Sequence, residues 1–224
     1  MVIRSSLQLY KQEFGRILLL GLLVTLPVQL IAMFFTNYFY TYYGILNLVY
    51  VADWFFAFII LLSISFVQIP FIRLFQLHIS REPVKVSKTI DSLMKSGFTV
   101  YVMGILYAIC VVVSSLFFII PGLILMVLLY AFPYAVVMEG EKWGSAFKLA
   151  IQFGKDNFFR LLGIILGFSL VEMTVERIIE FGVLSLTHNF LIISLVLLTV
   201  NMFFIPLFSF INGFVYAKWA GQLD

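Results

Sequence analysis

Six long apolar runs decide what this chain is able to fold into. They fall at about residues 15–36, 46–69, 98–120, 123–138, 160–182 and 190–216. About 20 consecutive apolar residues in a helix cross the hydrocarbon core of a bilayer. None of the runs shows the two-residue alternation of a barrel strand. The expected fold is all-α, with six transmembrane helices in a single polytopic domain over residues 1–224. Composition agrees: 63% of residues are hydrophobic, 11% are charged, and mean hydropathy is +1.11. Soluble domains carry about 25% charged residues, and disorder needs low hydrophobicity with high charge. A net charge of +3 spread over this length supplies no clustered basic face for nucleic acid. The first run, Ile17 to Phe35, is longer than a signal-peptide core and has no small-residue cleavage site after it, so it reads as an uncleaved anchor.

Lysine and arginine in short loops set orientation. Arg4, Lys11 and Arg16 precede span 1. Arg73, Arg81, Lys85, Lys88 and Lys95 lie between spans 2 and 3, Lys142, Lys148, Lys155 and Arg160 between spans 4 and 5, and Lys218 near the end. With six spans, thirteen of the fourteen basic residues fall on one side, and only Arg177 does not. The charge rule therefore expects both termini in the cytoplasm. The tyrosines at 38, 40, 42 and 43 form an aromatic belt on the opposite side.

The segments before the odd spans resemble one another. Gln8, Lys11, Phe14 and Arg16 match Gln152, Lys155, Phe158 and Arg160 at a constant offset of 144, and Lys95 and Phe98 repeat the Lys-x-x-Phe element. Each segment is amphipathic at helical spacing, with Ile3, Leu7, Tyr10 and Phe14 in the first. Such helices lie in the interface with a basic edge toward anionic headgroups. The pattern predicts three parallel repeats, about 1–80, 81–140 and 141–224, each an interfacial helix followed by a transmembrane hairpin. Pro121–Gly122 reads as the tight turn between spans 3 and 4. Pro70, Pro133 and Pro206 lie in the cytoplasmic part of spans 2, 4 and 6, where a proline kinks the helix.

Residues 119–162 carry a Pro-Gly turn, a span ending in Pro and then Glu, an Ala-containing amphipathic helix and an aromatic-basic entry into the next span. These are Pro121, Gly122, Pro133, Glu139, Ala146, Lys148, Phe158 and Arg160. The stretch resembles the membrane domain of glycerophosphoryl diester phosphodiesterase membrane-domain proteins and their stand-alone six-helix relatives. Tyr130 and Ala150 depart from the pattern, where Arg and Ser are common. The resemblance implies a six-helix bacterial inner-membrane protein; it does not imply phosphodiesterase activity, since in the family that chemistry belongs to a separate soluble domain.

Ionisable residues within spans raise a functional hypothesis by default. Glu172, Glu176 and Glu180 share one face of span 5 at i, i+4 and i+8, beside Arg177, and Asp53 lies in the outer half of span 2. Arg177 is expected to pair with Asp53 or with a span-5 glutamate, because an unpaired buried charge costs several kcal/mol. The alternative is that span 5 emerges early and residues 172–187 form an outer amphipathic helix. Gly163 and Gly167 predict a close-packing face, Asn47, Asn201 and Asn212 interhelical hydrogen bonds, and Cys110 a buried small hydrophobe. His78 and His188 fall on opposite sides, too far apart to share a metal, and Ser114–Ser115 has no histidine in its span. The leading expectation is a non-enzymatic protein without cofactor that binds or passes a small amphiphile, lipid or peptide. The other is an accessory, scaffold or immunity-type subunit of another membrane protein.

Overall fold

The computed structural model describes residues 2–223, and among them every regular element is helical. Ten helices follow in order: α1 (Val2–Gln12), α2 (Phe14–Leu20), α3 (Leu26–Ile45), α4 (Val49–Ile79), α5 (Val86–Phe117), α6 (Ile119–Leu129), α7 (Phe132–Met138), α8 (Trp143–Asp156), α9 (Phe158–Leu184) and α10 (Phe190–Trp219). A π-helical turn, Gly21–Thr25, joins α2 to α3 without a break. Six segments are long and apolar enough to cross a membrane: Phe14–Ile45, Val49–Ile79, Val86–Phe117, Ile119–Met138, Phe158–Leu184 and Phe190–Trp219.

The chain breaks where local chemistry asks for it. Asn47 takes φ 56° in the α3–α4 turn, a left-handed position that Asn tolerates, so it is a turn residue rather than an interhelical donor. The α5–α6 turn falls at Phe118, which is extended, and not at Pro121–Gly122. Pro121 instead sits in the first turn of α6, where its missing N–H is no loss. A Cβ on Gly122 would fall 1.8 Å from the Ser115 hydroxyl oxygen, so glycine lets the two helices meet at that corner. Pro133 does more than kink span 4: the helix ends at Leu129 and restarts as α7 with Pro133 in its first turn. Pro70 and Pro206 stay inside continuous helices.

Only two of the three expected interfacial helices are separate elements. The chain breaks after α1 at Glu13 (φ −102°, ψ 12°) and after α8 at Asn157 (φ −122°, ψ 22°), two breaks 144 residues apart. The middle segment has no break, and α5 runs unbroken through Lys95 and Phe98. Gly97, the position matching Glu13, is buried beside Phe66 and lets the helix pass. α1 docks on α10 through a buried face of Ser6 and Leu9, the Tyr10 hydroxyl donates to the Phe203 carbonyl at 3.1 Å, and Phe14 stacks on Phe203. Its Ile3 and Leu7 remain outward beside exposed Lys11. Arg16 bonds Glu13, while Phe98 meets Trp143 edge-on, and Lys95, Lys155 and Arg160 are exposed.

Packing is uneven along the helices. The buried core is gathered at the end of the bundle that carries the basic loops. It is built from the Val67–Leu77 stretch of α4, α7, the buried face of α8 and the Phe210–Ala217 stretch of α10. Gly154 of α8 lies against the backbone of Leu128, 2.7 Å from where a Cβ would stand, and Gly213 fits against Phe75. Trp219 donates to Asp156 at 2.8 Å and Gln76 donates to the Met138 carbonyl at 3.0 Å, tying the loops of that end together. Toward the other end little is buried: α3 has no buried residue, and α9 buries only Leu161, in its first turn at the basic end. A Cβ on Gly163 or Gly167 would meet nothing within 4 Å, so the expected close-packing face has no partner among the described residues. Cys110, expected to be buried, is exposed on the outside of α5.

Candidate functional site: an intramembrane cleft

The loosely packed end is not merely splayed. α3, α4, α9 and α10 line a cleft of about 610 Å³ there, floored by α5 and the α6–α7 break. Helix direction gives its depth. α4 contributes residues from Phe56 to Gln68, about 18 Å at 1.5 Å per residue, and α9 from Ile165 to Glu176, about 16 Å. The two helices run in opposite senses, so Gln68 and Ile165 mark the floor, and Phe56 and Glu176 mark the mouth. The mouth faces away from the basic loops.

Most of the wall is apolar, with Phe168 packed on Phe208 at 4.9 Å and Tyr130 edge-on to Phe208 at 5.6 Å. Two of the five predicted polar-site residues line it: Glu172 and Glu176, both half-buried on α9. Asn201 of α10, one of the asparagines expected to bridge helices, lines the cleft as well. The other three lie outside the cleft. Arg177 donates to Glu180 at 2.7 Å, so a span-5 glutamate is its partner, but the pair is on the outer surface with the arginine three-quarters exposed. Asp53 accepts from the Tyr40 hydroxyl at 2.6 Å, away from Arg177. α9 continues unbroken through this region to Leu184, so a separate helix over 172–187 does not form.

At the floor, Tyr130 donates to Gln68 and accepts from Asn212, both at 3.4 Å. Gln68 is 1% exposed, and its Nε2 has no partner. The Gln29 Oε1 atom, on the same wall, has none either. A buried amide left unsatisfied costs about 1–3 kcal/mol, so these groups are unusual in a wall otherwise made of hydrocarbon. Neither glutamine belongs to the site expected from charges and asparagines within the spans. A glutamine in mid-span carries the same signal, since its amide needs partners that lipid does not supply. Among the described residues, no three His, Cys, Asp or Glu side chains come together to hold a metal. Ser115, without a histidine nearby in sequence, spends its hydroxyl proton on the Val111 carbonyl at 2.8 Å.

No family model, no curated protein and no solved structure matches this chain. Its six long apolar helices are consistent with an integral membrane protein.

Proposed function

We propose that this protein is a non-enzymatic, six-span membrane protein that binds, and by binding carries or presents, a small amphiphile in the cleft. The observation that carries the reading is the cleft itself. An apolar cavity of about 610 Å³ with a few converging polar groups is the usual form of a small-molecule site. The mouth opens on the side without basic loops, which the positive-inside rule assigns to the exterior of a bacterial inner membrane, with both termini cytoplasmic. The paired breaks after α1 and α8, 144 residues apart, support a parallel repeat of helix-plus-hairpin units. Kinship with the phosphodiesterase membrane-domain family, resting on residues 119–162, belongs to the same proposal.

The test is native mass spectrometry of the full chain purified from its own membranes, beside Ser169→Phe, which fills the cleft. A recurrent small adduct that the variant loses supports the reading. Identical spectra from both proteins overturn it.

One observation favours a second reading, an accessory subunit. The Gly163 and Gly167 face of α9 is open, and close approach of another helix is what such a face permits. A stoichiometric protein partner that Gly163→Leu releases, with no small adduct, decides for that reading.

A further inference from the structure

The charges on the cleft wall are of one sign. Glu172 and Glu176 line it, and no Lys, Arg or His does. The nearest cation in sequence, Arg177, is turned outward and held by Glu180. The two carboxylates are one helical turn apart on the same face, about 5–6 Å between Cβ atoms, close enough to share one cation. Below them the wall is the aromatic pair Phe168 and Phe208, and below that is the free Nε2 of Gln68. Glu172 stands seven residues along α9 from Ile165, so acid and amide are separated by on the order of 10 Å.

We propose that the cleft selects organic cations: amphiphiles whose ammonium or delocalised cationic group binds between Glu172 and Glu176 and whose oxygen acceptor reaches Gln68. The chemistry at each level supports this class. A cation between two carboxylates in a low-dielectric wall supplies the counter-charge that the protein withholds. Aromatic faces below it accept an apolar, flat or cationic body. A carbonyl, ester or hydroxyl oxygen at the floor satisfies the unpaired Gln68 amide, whose burial otherwise goes uncompensated. An anionic amphiphile meets like charge at the mouth and is rejected.

The inference rests on the cleft being a binding site, and three dyes separate the two claims. The full chain is placed in nanodiscs of zwitterionic lipid, which limits non-specific attraction of charge. Fluorescence anisotropy then follows tetramethylrhodamine ethyl ester (cationic, with an ester carbonyl), Nile red (neutral, with a carbonyl) and fluorescein (anionic). Saturable binding of the cation, little of the anion, and an affinity for the cation about tenfold or more weaker in Glu172→Gln/Glu176→Gln is the expected result. Nile red binding stays unchanged in that variant and so reports an intact cleft. Gln68→Leu weakens both carbonyl-bearing dyes. Cation binding unaltered by the double substitution, or fluorescein bound as tightly, overturns cation selection while Nile red keeps the cleft reading standing. Equal loss of both dyes in the double variant and in Glu172→Gln alone also overturns it, since charge then plays no separate part. No saturable binding of any dye removes the cleft reading as well.

Discussion

The basic end and the far end of this bundle are built from the same helices and obey different rules. α4, α5 and α10 are 30–32 residues long, about 45–48 Å, against a hydrocarbon core of about 30 Å. The excess lies where the loops carry charge, and there water supplies a hydrophobic driving force. Phe71, Phe75, Phe132, Tyr134 and Phe153 are fully buried at that end. Toward the far end the surroundings are lipid, which is as apolar as the side chains, so burial gains little and packing needs small residues or hydrogen bonds. Phe34, Phe117, Ile119 and Phe181 remain exposed there. The contrast separates a close-packed base from a loosely packed upper part, and the cleft occupies the boundary between them.

The two ends differ most at their large aromatic side chains. Phe75→Ala in the base is expected to cost about 3–5 kcal/mol, whereas Phe117→Ala, whose ring is 75% exposed, stays within about 0.5 kcal/mol. Reversible unfolding in mixed micelles measures both, and equal losses erase the distinction. Glycines differ between the ends by a smaller amount. Gly154→Ala drives a methyl into the Leu128 backbone and loses about 1–3 kcal/mol. Gly163→Ala meets open space and gains up to about 1 kcal/mol from helix propensity. Tyr134→Phe removes a hydroxyl that donates to the Ser209 carbonyl at 2.9 Å, for a loss of about 1 kcal/mol.

The smallest effect belongs to the loop between α4 and α5. The Lys88 ammonium, 2.8 Å from Glu82, holds that carboxyl below the usual carboxylate range. A lowered folded pKa stabilises above the unfolded value and is lost as pH falls through the folded one. Both groups are solvent-facing, so Lys88→Met should leave the melting temperature unchanged at neutral pH and should not alter its acid profile measurably. A clear shift makes the loop part of the base.

The sequence makes some of this plain and hides the rest for a physical reason. The six spans, the gathering of basic loops at one end and the shared face of Glu172 and Glu176 are all readable from run length, charge and spacing. Which face of a helix looks inward is not readable when the helix is apolar all round, because no periodicity distinguishes lipid from protein. That is why Cys110, expected inside, is exposed, and why Gly163 and Gly167, expected against a neighbour, face open space. It is also why depth alone groups Asp53 with span 5, although it bonds Tyr40. Tyr130, at the break between α6 and α7, meets Gln68 of α4 across the bundle, a tertiary contact that no local pattern announces.

An open cleft above a sealed base is tested most directly by thiol accessibility. The measurement uses a Cys110→Ser background, a membrane-impermeant reagent and single cysteines at Ser169 on the cleft wall and Ala135 in the base. The predicted result is rapid labelling at position 169, slowed by a bound cationic amphiphile, and none at position 135. Position 169 as inert as position 135, or both labelled alike, would contradict it.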